Sequence, residues 1–104
     1  MKGNGVGQDV YILGGHQTDF ARNYSRENRT IVNLLEDGLH GALEAAALDP
    51  EEIEVAHVGN FVGELFTGQG MLGGFLGHVH PSLAGIPASR HEGACASGSL
   101  AILA

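Results

Sequence analysis

Apolar residues recur at three- and four-residue intervals between residues 30 and 48. The set comprises Ile31, Leu34, Leu35, Leu39, Ala42, Leu43 and Ala46. This spacing places the apolar side chains on one face of an amphipathic helix, so the pattern predicts a helix over residues 30–48. Directly after it, Asp49, Pro50 and two glutamates are typical of the start of a short helical turn.

Two shorter apolar runs flank this predicted helix. Residues 9–14, DVYILG, are rich in β-forming side chains, and residues 54–62 form a second run of mixed exposure. Both runs predict strands. A strand, a helix and another strand make a βαβ unit, so we expect the two strands to be parallel. The polar residues 16–29 predict a loop in which Phe20 and Tyr24 pack inward.

The second half of the chain is dominated by glycine and other small residues. Residues 63–77 predict a loop with a short helix over residues 71–76, which the sequence His78-Val79-His80-Pro81 interrupts. Residues 86–91 are weakly strand-like and lead into a turn and an apolar helical run. Residues 1–8 predict a flexible leader, which leaves residues 9–104 as one α/β domain.

Charge and composition exclude several classes of protein. The chain has 104 residues and a formal net charge of −7, which argues against binding to nucleic acid or to anionic membranes. No apolar run is long enough to span a membrane, and a single cysteine cannot form an internal disulfide, so we expect a cytoplasmic protein. No stop signal follows the last apolar run, so we expect further protein to cover that helix.

Cys95 is the candidate for chemistry. It lies among alanines, glycines and serines just before the last predicted helix, where small neighbours allow a substrate to approach and unpaired N–H groups favour a thiolate. A lone cysteine in such a run is also commonly a small buried hydrophobic residue. Local chemistry alone leaves both interpretations open.

Two other patterns compete with Cys95. Residues 68–73 match GxGxxG, with Glu92 at the distance expected of a ribose-binding acid, so a nucleotide-binding α/β module is an alternative. Three residues separate the predicted strand from these glycines, which weakens the match. His78 and His80 form an HxH pair with His91 further on, but we interpret them as solvated loop histidines and expect no metal site.

The run EGACASGSLA at residues 92–101 resembles the nucleophile motif of the thiolase family. The segments DVYILGGHQTDFAR, VGNFVGE and GQG follow in the order and at the spacing of that family, so the resemblance covers nearly all of residues 9–104. The run GGHQTDFAR resembles sterol-carrier-type and archaeal-like thiolases more closely than it resembles the classical ketothiolases. The fold that this implies is the N-terminal part of an α/β/α/β/α layered structure, incomplete in this chain.

The resemblance implies that Cys95 accepts the acyl group in an acyltransferase acting on coenzyme A thioesters. It implies no permanently bound cofactor, and a homodimer or homotetramer in which the strand near residues 88–92 pairs across the two-fold axis. The family's catalytic histidine and second cysteine have no match here, so we expect this chain alone to be inactive. A non-catalytic thiolase-like scaffold or acyl-CoA-binding subunit is the alternative.

Overall fold

The computed structural model describes residues 8–104, so the first seven positions of the predicted leader lie outside the described residues. This part of the chain contains four α-helices and a two-stranded parallel sheet, which places it in the α/β class. The helices are α1 (Ile31–Ala46), α2 (Gly63–Thr67), α3 (Leu76–Val79) and α4 (Ser97–Leu103), and the strands are β1 (Ala56–Gly59) and β2 (Ala88–His91). Short 3-10 turns lie at Pro50–Glu52, Leu72–Phe75 and Pro81–Leu83.

Helix α1 confirms the prediction for residues 30–48. Its first turn is capped by Asn33, whose side-chain oxygen accepts a hydrogen bond from the Thr30 N–H at 2.8 Å. Ala47 ends the helix in the left-handed region (φ 55°), and the Leu48 N–H closes the last turn on the Leu43 carbonyl. The following turn also forms as predicted, with the Asp49 N–H bonded to the Glu52 carboxylate at 2.8 Å.

The sheet pairs different strands from those that the βαβ prediction joined. β1 and β2 are parallel, with Ala56 opposite Ala88 and Gly59 opposite His91, so residues 60–87 form the crossover. The predicted strand over residues 9–14 is wrong for this structure: the segment forms no strand, and Val10 and Ile12 are each 90% exposed. A strand exists only as part of a hydrogen-bonded ladder, and no described residue pairs with this segment.

The hydrophobic core is small and lies where α1 meets α3 and the turns beside it. Its buried apolar side chains are Leu43, Leu72, Leu76, Val79 and Leu83. Gly73 lies directly against the Ser89–Arg90 backbone, where an added Cβ would be 2.6 Å from the Ser89 carbonyl carbon. The absence of a side chain at Gly73 therefore lets the core turn approach β2.

Residues 16–29 are held to α1 through Tyr24 rather than Phe20. The Tyr24 hydroxyl donates to the Asp37 carboxylate at 2.7 Å, and Arg22 and Arg29 lie over the Tyr24 ring. Tyr24 packs as predicted, but Phe20 is 94% exposed, so its predicted inward packing is wrong. Polar contacts of Tyr24, Arg22 and Arg29 with Asp37, which we call the loop clamp, therefore hold this loop more than apolar burial does.

Among residues 8–104, no helix combines the length and the apolar character that crossing a membrane requires.

Candidate active site

Cys95 lies in the turn that joins β2 to α4. β2 ends at His91 and α4 begins at Ser97, so the turn comprises residues 92–96. The Cys95 thiol is free and exposed. The location before a helix is as predicted, and within residues 8–104 the thiol is exposed rather than buried. A molecule arriving from solvent can therefore reach the sulfur.

Ser97 fastens this turn from inside. Its side chain is buried, with 5% exposure, and its hydroxyl accepts a hydrogen bond from the Gly93 N–H at 3.0 Å. The same hydroxyl donates to the Ala94 carbonyl at 2.7 Å. One side chain therefore satisfies a donor and an acceptor on two consecutive backbone units, which fixes the path of the chain just before Cys95.

Glu92 and Ala94 shape the turn on its outer side. The Glu92 carboxylate accepts from the Ala94 N–H at 2.6 Å. Ala94 has φ 51°, in the left-handed region that a residue with a Cβ seldom adopts. Such a conformation persists only when its surroundings impose it, and the hydrogen bonds of Glu92 and Ser97 do so here.

The backbone N–H groups around Cys95 differ in their partners. The Ala96 N–H bonds to the Gly93 carbonyl at 2.9 Å, and the Ser97 N–H bonds to the Ala94 carbonyl at 3.2 Å. Within residues 8–104 the Cys95 N–H has no hydrogen-bond partner. This donor is next to the thiol, so it is available to an oxygen atom of a bound molecule.

Helix α4 rests directly on β1 at a glycine. A Cβ added to Gly59 would collide with the Ser97 carbonyl and would lie 2.8 Å from the Gly98 Cα. The lack of a side chain at Gly59 lets the first turn of α4 touch the sheet backbone. The sheet thereby supports Ser97, which in turn holds the Cys95 turn.

Arg90 ties the strand that leads to Cys95 to the end of β1. Its guanidinium donates to the carbonyls of Asn60 at 3.1 Å and Phe61 at 2.9 Å. Its Nε is buried and has no partner among the described residues. The sequence gives no motif that includes Arg90, and it includes Ser97 in the run EGACASGSLA without indicating that its hydroxyl holds the turn.

The GxGxxG stretch does not form a nucleotide-binding turn. Gly68 (φ 71°) ends α2 rather than starting a helix after a strand, and Met71 also adopts a left-handed conformation. Gly73 packs on β2 instead of lining a phosphate site. A dinucleotide site needs a strand, a glycine turn and a helix in direct succession, so the nucleotide-binding alternative lacks its structural basis.

The histidines selected from the sequence do not come together. His78 stacks on Phe75, with ring centroids 5.2 Å apart, and the His80 Nδ1 accepts from the Ser82 N–H. His91 instead meets His57, a residue that sequence reasoning did not select. Within residues 8–104, no group of three or more His, Cys, Asp or Glu side chains is arranged to hold a metal ion.

The known proteins that resemble this chain include two archaeal relatives with the same name. The chain is 40% identical over 95 residues to an acetyl-CoA acetyltransferase of Methanocaldococcus jannaschii. It is 35% identical over 95 residues to an acetyl-CoA acetyltransferase of Methanothermobacter thermautotrophicus. Each match covers 91% of this chain but 23% and 24% of the relatives, so the chain spans about a quarter of their length. No family model matches the chain.

Proposed function

The chain is similar to an N-terminal portion of the thiolase family, as the sequence predicted, and on that premise we propose that it supplies the nucleophile part of an acyl-CoA acyltransferase. Cys95 is the acyl-accepting nucleophile in this proposal. The reaction is either thiolysis of a 3-oxoacyl-CoA or, in the opposite direction, Claisen condensation of two acyl-CoA molecules. Both directions use the same acyl-enzyme, so the proposal includes both.

The observation that carries the proposal is the exposed thiol of Cys95 in a turn that Ser97 holds rigid. A nucleophile has to be reachable by the substrate and fixed in position. The run EGACASGSLA places this same turn at the motif that resembles the family's nucleophile. Exposure, fixation and resemblance therefore agree on one residue.

The proposed first half-reaction is a thioester exchange. The Cys95 thiolate attacks the thioester carbonyl, and the resulting tetrahedral oxyanion accepts a hydrogen bond from the Cys95 N–H. Collapse of this intermediate breaks the bond to the coenzyme A sulfur, which takes up a proton as it leaves. In condensation, the acyl group then passes from Cys95 to the carbanion of a second acyl-CoA, which forms the carbon–carbon bond. Thiolysis is the same sequence in reverse: Cys95 attacks the 3-oxo carbonyl, the carbon–carbon bond breaks with release of an acyl-CoA, and free coenzyme A then takes the acyl group from Cys95.

The similarity to the thiolase family also leads to expectations about substrates, cofactors, oligomeric state and location. We expect coenzyme A thioesters as substrates, no permanently bound cofactor, a homodimer or homotetramer, and a cytoplasmic location. The resemblance also calls for a catalytic histidine and a second cysteine. The sequence contains one cysteine, so these 104 residues do not supply the second one.

Isotope exchange tests the acyl-enzyme. The whole encoded protein is incubated with acetyl-CoA and labelled free coenzyme A, without any second acyl substrate. Transfer of label into acetyl-CoA is expected, because the acyl-enzyme releases and recaptures coenzyme A. A Cys95→Ser variant should lose the exchange, whereas Ser99→Ala, on the exposed side of α4, should retain it. Binding of acetyl-CoA without exchange would refute the proposal and favour the scaffold alternative.

A further inference from the structure

His57 on β1 and His91 on β2 bring two imidazole nitrogens into direct contact. The His57 Nδ1 lies 2.8 Å from the His91 Nε2, and the ring centroids are 5.0 Å apart. Both side chains are half-buried. One ring donates its N–H to the unprotonated nitrogen of the other, so a single proton lies between the two nitrogens and both face the same point.

The Ser89 hydroxyl completes a triangle with these two nitrogens. It lies 3.2 Å from the His57 Nδ1 and 3.3 Å from the His91 Nε2. Ser89 is opposite His57 in the parallel register, and His91 is two residues further along the same strand. Side chains two apart on a strand share one face, so the sheet itself assembles the three atoms.

The triangle is wide enough to admit a small divalent metal ion just above its plane. A point about 2.1 Å from all three atoms, the usual zinc–nitrogen distance, lies roughly 1 Å above their plane. Three ligands on one side leave the opposite side open to water. Ser89 is exposed, so solvent can reach that side.

We propose that His57, His91 and Ser89 form a binding site for a borderline divalent cation of the zinc type. Imidazole nitrogen is a preferred ligand of Zn²⁺, Ni²⁺ and Cu²⁺. For ligation, the proton between the rings moves to the outer nitrogen of the ring that carries it, which leaves both facing nitrogens unprotonated. The ion links β1 to β2, the strand that leads into the Cys95 turn. The proposal does not depend on the acyltransferase assignment.

Zinc titration of the whole encoded protein tests the site. Isothermal titration calorimetry is run on the wild type, His57→Gln, His91→Gln and a matched control, His40→Gln, which removes an exposed histidine on α1. Removing either ligand should weaken zinc binding by about ten-fold or more, and the control should bind as the wild type does. Zinc should also raise the unfolding temperature of the wild type and the control.

Chemical footprinting of the wild-type protein tests the same site without a variant, so it also applies if a variant fails to fold. Diethylpyrocarbonate modifies accessible unprotonated imidazoles, and mass spectrometry locates each modified histidine. Zinc should protect His57 and His91, while the exposed His40 and His78 continue to react. Absence of zinc binding, equal affinity in all variants, or protection confined to other histidines would overturn the proposal.

Discussion

At the scale of single residues, Ser97 decides the geometry next to the thiol. Replacing Ser97 by alanine removes both hydrogen bonds of its hydroxyl and leaves the Gly93 N–H without its partner. A buried donor left unsatisfied costs about 1–3 kcal/mol, and Gly93 is half-buried, so Ser97→Ala should lower the free energy of unfolding by about 1 kcal/mol, the low end of that range. Urea denaturation measures the change.

Ser99→Ala is the matched control for this prediction. Ser99 is exposed on the same short helix, so its replacement should change stability by less than about 0.5 kcal/mol. Equal stability of the two variants would contradict the role assigned to the Ser97 hydroxyl.

Asp37 gives the loop clamp a pH dependence. The Tyr24 hydroxyl bond, followed by the bond and charge of Arg29, holds the Asp37 pKa below its ordinary value of 3.8, although burial acts in the opposite direction. A carboxyl whose pKa is lowered by folding stabilises the fold above its unfolded pKa. This contribution disappears as the pH falls through the lower folded pKa.

The expected result is a stability gap that depends on pH. Asp37→Asn should unfold at a lower temperature than the wild type at pH 7, and the two should converge as the pH falls below about 4. Thermal unfolding followed by circular dichroism measures both. Glu44→Gln, an exposed change on the same helix, should show no such gap, and a gap of equal size at pH 3 and pH 7 would count against the clamp.

At the scale of elements, the contact between α4 and β1 positions the Cys95 turn. Gly59→Ala would drive a Cβ into the Ser97 carbonyl, which the backbone of α4 cannot avoid without moving. Overpacking of this kind costs typically 1–3 kcal/mol. The variant should therefore be less stable by about that amount and should show an altered rate of thiol alkylation at Cys95.

Gly85→Ala is the control for the helix–sheet contact. A Cβ added at Gly85 meets no atom within 4 Å, so this variant should retain both the stability and the alkylation rate of the wild type. A Gly59→Ala protein indistinguishable from Gly85→Ala would mean that α4 does not depend on this contact.

Local signals predicted α1 and both strands of the sheet, but they missed α2, which lies in the predicted loop, and placed the next helix too early, since α3 is Leu76–Val79. Helix α1 and the turn at Pro50 follow from spacing and capping residues within a few positions of each other. Residues 86–91 were predicted as a strand, and β2 forms there. Residues 9–14 have the composition of a strand but form none, because strand formation depends on a partner that the segment's own residues do not specify.

The candidate site was predictable in part for the same reason. Small residues before an apolar run indicated a turn at Cys95, and the turn is present. The Arg90 guanidinium binds carbonyls 29 and 30 positions away, and His57 meets His91 34 positions further along the chain. No sequence period encodes such contacts.

At the scale of the whole molecule, the described chain exposes more large apolar side chains than it buries. Ile102 and Leu103 on α4 are each 81% exposed, and the apolar side chains of the DVYILG segment are 64–90% exposed, while the core contains five buried apolar residues. Further protein surface over α4 would bury this apolar area and stabilise the helix behind the thiol. This agrees with a chain that spans about a quarter of the length of its relatives. The α/β/α/β/α layered arrangement stays a prediction.

The central claim is that Cys95 carries the acyl group. The most direct measurement is mass spectrometry of the whole encoded protein after rapid acid quenching of its reaction with acetyl-CoA, followed by peptide mapping. One acetyl group is expected on the peptide that contains Cys95, with none in the Cys95→Ser variant and an unchanged yield in Ser99→Ala. An intact, folded protein with no acetyl group on Cys95 would contradict the claim.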